Sequence, residues 1–478
     1  MREAPPGASG GPTLPSGPAS AARRDSLAGG IAGAATILLI TILASRLLGF
    51  VRQIAITSQF GVGPEADAWF TAFRIPDTIF QLFAGGALLS AVIPVYAAVR
   101  ARGDRRALGE LVSGVITLVG LVTAVAGAVG AVFAEPLMRA VAPGFPPATL
   151  ALAADASRWL MLSPVLLGFS AIIKAVLQAE RRFWLPALSP ILYNAGIIAG
   201  AVLLARWFGL SGLVWGTLLG AGLHVLVQAP GLRALRFAPR PAWAWRSPDV
   251  RRVVALVIPR IVGVAVLQIS LVYVNLLASL QGESAVAALG NAFILLLLPL
   301  GMFAMSLGEA ALPELSERWA AQDRAGFAQR LAGLSRHVLF LNLPASVALI
   351  MLAEPIVTVL FERGAFDARA TALTATALQF FAIGLAGHAL VEVLVRGFFA
   401  MHDTRTPVAV GVASLLVHML LSWLLAQRIG QGGIALGVSI GVLLEAYLLT
   451  VLLRVRGALA IGGREIRSAA TTGMATVL

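Results

Sequence analysis

Apolar runs of about 20 residues recur from one end of this chain to the other, and that is the length a helix needs to cross the hydrocarbon core of a bilayer. The runs do not alternate apolar with polar residues. A lipid-facing β-barrel is therefore excluded, and helices are the spanning element. The composition agrees: 58% of residues are hydrophobic and only 12% are charged, whereas a soluble domain carries about 25% charged residues. The chain reads as an all-α polytopic membrane protein. It has no cysteine, which excludes a disulfide framework and a thiolate metal site. A net charge of +13 invites a nucleic-acid reading. The basic residues, however, cluster between apolar spans, where they mark loops on one membrane face. Membrane lipids, not nucleic acid, are the expected surroundings.

Residues 1–26 are rich in Pro, Gly, Ala and Ser and read as a disordered tail. Spans are expected at 27–50, 66–98, 107–133, 152–179, 185–206, 212–230, 252–280, 285–313, 331–353, 371–400, 407–427 and 432–455. In an alternating count, the loops bearing Arg100 to Arg106, Arg181 and Arg182, Arg233 to Arg252, Arg318 and Arg324, Arg405, and Arg454 to Arg467 all fall on one side. That side is the cytoplasm by the positive-inside rule, and both termini lie there.

The two halves repeat. Glu135-Pro136 returns as Glu354-Pro355, and Asp104-Arg105 as Asp323-Arg324, both 219 positions on. Phe145 and Pro186 return as Phe366 and Pro407, both 221 positions on. A duplication of six helices inserts both copies the same way round. It predicts two parallel lobes, 6+6, about an axis along the membrane normal and around a central cavity. The N-terminal lobe covers 27–232, a basic cytoplasmic linker 233–251, and the C-terminal lobe 252–456. Residues 457–478 read as the start of a thirteenth helix cut short.

Charge within a span costs roughly 2.5–3.5 kcal/mol, so such residues face a partner or a wet cavity. The stretch Ser45–Pro94 is strongly apolar, yet Arg46, Arg52, Asp67, Arg74 and Asp77 interrupt it. Asp67, Arg74 and Gln81 are spaced seven apart and share a helix face. They form either a structural ion pair or one polar wall of a cavity. Arg46, Arg52 and Arg74 suit an anionic head group, since the guanidinium fork binds phosphate through paired hydrogen bonds. Lys174, the only lysine, either snorkels or lines the cavity. Glu392 and Arg396 are four apart and pair, as a structural link or a gate. Asp403 is a candidate for ion coupling. No pair of histidines has metal-ligand spacing, no P-loop is present, and no catalytic constellation appears.

Several motifs act together: SRLLGFVRQ at 45–53, FGVGPEADAWFTAFRIPD at 60–77, LFAGGALLSAVIPV at 82–95, VAPGF at 141–145, RRFWLPALSPILYN at 181–194, LFERGAF at 360–366 and GFFAMHDTRTPV at 397–408. Through them the chain resembles the MurJ/MviN family of lipid II flippases, within the multidrug/oligosaccharidyl-lipid/polysaccharide exporter superfamily. The resemblance implies a two-lobed fold. It also implies transport of undecaprenyl-pyrophosphate-linked glycopeptide across the bacterial cytoplasmic membrane for peptidoglycan synthesis. The driving force would be membrane potential or a Na+ or H+ gradient, and no cofactor is implied. It places Arg46 and Arg52 among the cavity arginines and makes Asp67 the motif acid that orients them. Two features depart from the family pattern. Phe80-Gln81 stands where Arg-Arg is usual, with Gly85 in place of an acid. Ile294 falls where the family carries a cavity arginine, and Lys174 replaces a small residue and would compensate. These departures keep open a degenerate flippase acting as a scaffold for cell-wall enzymes, or an exporter of another polyprenyl-linked saccharide.

Overall fold

The structure is a computed structural model that describes residue 41, residues 44–235 and residues 241–459. The expected tail at 1–26, most of the first apolar run, and 460–478 lie outside the described residues. Among those described, nine helices are long and apolar enough to cross a membrane, or ten if the bent pair Ala368–Ile383 and Leu385–Ala400 counts as one. The chain is a membrane protein.

The helices are α1 (44–60), which stands outside that count, and then α2 (Pro64–Ala101), α3 (Arg105–Val132), α4 (Pro147–Ala179), α5 (Trp184–Phe208), α6 (Leu210–Ala234), α7 (Pro248–Ser279), α8 (Ala285–Ala320) and α9 (Arg324–Met351). The bent pair is α10. A final helical stretch, Arg405–Val455, has 51 residues and would run about 76 Å if straight, more than twice the bilayer core. It breaks at Ile429 and Gly430, where φ and ψ leave the helical region. Its two parts are α11 (405–428) and α12 (431–455).

α1 extends further than the sequence suggests. Arg52, Gln53, Thr57, Ser58 and Gln59 look like a polar exit from the membrane, which is why a span over 27–50 is expected. Helix continues through them to Phe60, because their polar groups are enclosed by other helices instead of meeting water; Gln53 and Thr57 are fully buried. Two short helices, Ala134–Val141 and Ala353–Phe361, were also not expected. Each buries a narrow apolar face, Ala134, Met138 and Val141 in the first and Ala353, Val357 and Phe361 in the second.

The offsets read in the sequence recur in the backbone. Left-handed residues at the turns come in pairs: Gly61 with Gly282, Arg181 with His402, and Gly209 with Gly430, each 221 positions apart, and Gly103 with Gln322, 219 apart. Gly209 (φ 53°, ψ −136°) and Gly430 (φ 59°, ψ −139°) are almost superposable in dihedral angle. Asp104 and Asp323 both act as N-caps, of α3 and α9.

The basic loops gather at one end. Arg100 pairs with Glu180 at 3.2 Å, Arg102 with Asp249 at 2.6 Å, and Arg456 with Asp403 at 2.6 Å. The opposite end joins α1–α6 to α7–α12 through hydrogen bonds from backbone N–H groups. The Ala365 N–H donates to the Ser58 carbonyl at 2.8 Å, and the Gly144 N–H to Ser279 Oγ at 3.3 Å. A Cβ on Gly61 would lie 2.4 Å from the Ala365 carbonyl oxygen, and Gly61 has φ +60°, so the position admits only glycine.

Candidate functional site

A cavity of about 290 Å3 lies between the two groups of helices, below this joined end. Its walls come chiefly from α1, α2, α7, α8 and α10 and are mostly apolar, with Phe70, Phe73, Leu271, Leu289 and Phe293 among them. Into this greasy hollow project Arg52 from α1 and Arg74 and Asp77 from α2. Arg52 donates through Nη1 to Asn194 Oδ1 on α5 at 3.1 Å. Its Nε is buried without a hydrogen-bond partner, and so is the Nε of Arg74. The Arg74 guanidinium makes no hydrogen bond among the described residues, and neither arginine has a carboxylate within ion-pair distance there. Asp77, the only acid in the lining, sits in the field of both arginines and accepts a long 3.4 Å bond from Gln81. Above the arginines, Gln53 Nε2 donates to Asn291 Oδ1 of α8 at 2.7 Å. Thr71 Oγ1 donates to Asn275 Oδ1 of α7 at 3.3 Å. The chemistry on offer is anion binding: donors in excess of acceptors, in a poorly hydrated space where each charge–charge contact is strong.

Not every residue expected at this site is in it. Asp67 shares Arg74's helix face but lies about 10 Å further along α2, seven residues at 1.5 Å each. It is fully buried, and its oxygens accept from the Ser284 N–H at 2.6 Å and the Ala287 N–H at 2.7 Å. Asp67 therefore caps the N-terminus of α8 across the joint and does not orient the arginines; a carboxylate there meets unpaired N–H groups and the positive end of the helix. Arg46 is exposed, six residues toward the basic end from Arg52. Its guanidinium packs against Gly301 of α8, where a Cβ would come within 2.8 Å of Nη1. Lys174 is not in the cavity wall. It lies near His224, inside the N-terminal helices beside Ser170 and Gln228, so it does not replace a missing cavity arginine. Glu392 and Arg396 do pair, one and two turns beyond the cavity residue His388, with Arg396 lying on Gly308.

A family model described as "Lipid II flippase MurJ" matches residues 56–477. The chain belongs to the lipid II flippase MurJ family. Its MurJ relatives include the lipid II flippase MurJ of Burkholderia cenocepacia, 33% identical over 87% of this chain and 82% of the relative. The probable lipid II flippase MurJ of Vibrio cholerae is 32% identical over 85% and 80%. Among solved structures, the fold matches a MurJ in an inward closed conformation with TM-score 0.81 and 24% identity, over 92% and 91% of the chains. It also matches an inward-facing MATE-family multidrug transporter of the MOP superfamily, with TM-score 0.74 and 15% identity, over 87% and 94%.

Set in the MurJ fold, Ile294 lies in the cavity wall, so the departure from the expected arginine falls on the site itself. Asp77, named among the charges of the first stretch, was given no role at the site. Its signal was present: it stands three residues after Arg74, on the same face. Gln53, Asn194, Asn291 and His388 carried no charge to draw notice.

Asp403 lies at the basic end, away from the cavity. It accepts from the Arg405 and Thr406 N–H groups, the Thr406 hydroxyl and Arg456. Burial pushes its carboxyl up, but these bonds outweigh it and hold the pKa at about 2. A depressed carboxyl contributes stability in full above its ordinary range and loses it only as pH falls toward the depressed value. Asp403 is thus ionised throughout pH 5–8, and its oxygens cap the start of α11. Asp403→Ala is expected to cost about 1 kcal/mol of stability, equally at pH 5 and pH 8, as read by thermal unfolding in detergent.

Proposed function

We propose that this chain carries lipid II across the bacterial cytoplasmic membrane by alternating access between two six-helix lobes, α1–α6 and α7–α12. The observation that carries the reading is the pair of buried arginines, Arg52 and Arg74, holding unpartnered Nε donors at an otherwise apolar hollow. A pyrophosphate supplies the acceptors that pair lacks, and the guanidinium fork suits it. Asp77 keeps the two side chains apart and in place. Arg46 meets the head group on its way in from the basic end. The paired left-handed turns support the two-lobe division. The basic loops face the cytoplasm, with both termini, by the positive-inside rule.

At about 290 Å3 the cavity falls at the small end of ligand sites. Loading therefore requires the lobes to part at the basic end while the Ser58–Ala365 joint holds the other end shut. Glu392 and Arg396 lie along that opening as gate candidates. Membrane potential or a Na+ or H+ gradient drives the return. Complementation tests the reading: the wild-type chain, at verified membrane levels, is expected to restore growth to a bacterium depleted of its lipid II flippase. Failure to do so would reject this cargo.

One observation favours a second reading. Ile294 puts apolar surface where the resemblance expects a third guanidinium, which suits a chain that has become a membrane scaffold for cell-wall enzymes. Under that reading Arg46→Ala and Arg52→Ala leave function intact.

A further inference from the structure

The charges that line the central cavity all come from one half of the chain: Arg52 on α1, Arg74 and Asp77 on α2. From α7–α12 the lining takes apolar residues, the neutral Ser270 and Asn275, and a single titratable group, His388 of α10. The His388 ring meets Phe293 of α8 edge-on, with 6.5 Å between centres, beside the wall position held by Ile294. Its Nε2 is buried without a hydrogen-bond partner among the described residues. Buried polar atoms are ordinarily paired, so an open ring nitrogen at a cavity wall marks a place for a ligand.

The surrounding helices leave this imidazole without a counter-ion among the described residues. Glu392, one turn along α10, is engaged by Arg396, and Glu445 of α12 lies in the field of Glu392. α7 brings Ser270 to the hollow but no charge, and Ser270 is bonded to the His418 ring of α11 at 2.9 Å. α8 has no charged residue before Glu309, and α9 has none beyond His337. A proton on His388 in the empty cavity would therefore add a third positive charge beside two guanidiniums, which a poorly hydrated space disfavours. A bound pyrophosphate reverses the balance. Esterified at both ends, it brings two negative charges, whereas Arg52 and Arg74 less Asp77 leave one positive charge to meet them. The deficit is one proton.

We propose that His388 is a conditional third cation of the head-group site, taking up a proton from solution when a doubly esterified pyrophosphate enters and holding it from the α7–α12 side. This rests on the pyrophosphate reading given above. The bound head group then has a charged partner on each half of the chain and draws the halves together. His388 supplies on demand the charge that Ile294 does not.

The test uses the full chain in detergent, with lipid II and with geranyl-pyrophosphoryl-N-acetylglucosamine, which bears the same anion without the peptide. Both ligands keep their two charges across neutral pH, so a pH dependence reports the protein. Titration calorimetry near neutral pH, in two buffers of different ionisation heat, is expected to show about one proton taken up per ligand bound. Affinity is expected to be about tenfold higher at pH 6 than at pH 8. His388→Gln is expected to lose both the uptake and the pH dependence. Adding Ile294→Arg to it is expected to restore tight binding at both pH values, still without uptake. Should His388→Gln fail to accumulate, His388→Arg decides, since its fixed charge also removes the uptake. Absence of uptake by the wild-type chain would overturn the proposal, and so would uptake that survives the loss of His388, which would place the proton on Asp77 or His418. Uptake with the short ligand but no binding of lipid II would leave His388 in this role and reject lipid II as the cargo. Binding of neither ligand would reject the pyrophosphate site and this inference with it.

Discussion

Arg52→Ala is expected to abolish rescue of a flippase-depleted bacterium while the protein still reaches the membrane in normal amounts. The guanidinium has one protein partner, Asn194 at 3.1 Å, and its remaining donors face the cavity or lack a partner. Removing it costs the fold little and the head group a charge-assisted contact. Such contacts are worth about 1.5–3 kcal/mol, or roughly 10- to 150-fold in affinity. Arg74, with no side-chain hydrogen bond among the described residues, is expected to behave alike. Arg52→Lys keeps the charge but not the planar fork, and intermediate rescue is expected. Binding of purified lipid II by the detergent-solubilised protein, wild type against Arg52→Ala, separates lost affinity from lost movement. Full rescue by both alanine variants at equal membrane level would favour the scaffold reading.

The second large effect is expected at Asp67. Its carboxylate ties α2 to the start of α8 through two short bonds to backbone N–H groups, in a place sealed from water. Asp67→Ala leaves both donors unpaired, at a cost of about 1–3 kcal/mol each. Asp67→Asn fares little better, because its amide turns a donor toward one of two donors. The loss falls on the joint between the two groups of helices, so the joint is expected to open more often. The chain has no cysteine, which gives a clean readout. Ser58→Cys with Ala365→Cys places two thiols across the same joint, where the main chains lie 2.8 Å apart. Cross-linking of that pair is expected to be fast in the otherwise native chain and several-fold slower with Asp67→Ala. Unchanged cross-linking would mean that the cap contributes nothing to closure.

Much of the fold was legible because lipid imposes a simple code. Apolar runs fix where helices lie, and arginine-rich loops show which ends belong together. The offsets of 219 and 221 reappear as paired left-handed turns, since a tight reversal between helices needs the same backbone in each half. What stayed hidden was depth and neighbourhood. A spacing of seven correctly put Asp67 and Arg74 on one face, but it could not say that one meets a helix end and the other a cavity. Polarity after Phe50 resembled an exit into water, because a sequence does not show that another helix will cover Gln53 and Thr57. Lys174 looked like a spare cavity cation, since span number alone does not tell which neighbour a helix face will meet. Asp403 was read for its charge, and its use lies in the N–H groups beside it.

The closure opposite the basic loops has a consequence for how such a chain can drift over generations. Its contacts run from one main chain to another, Ser58 to Ala365 and Gly61 against Ala365, with Gly364 pressed on the Ser58 carbonyl. Peptide groups are common to all residues, so a seal made of them ignores most substitutions along its length. Selection can watch it at few places, at the Asp67 carboxylate and where a methyl group would not fit, and much of the surrounding surface is left free to change.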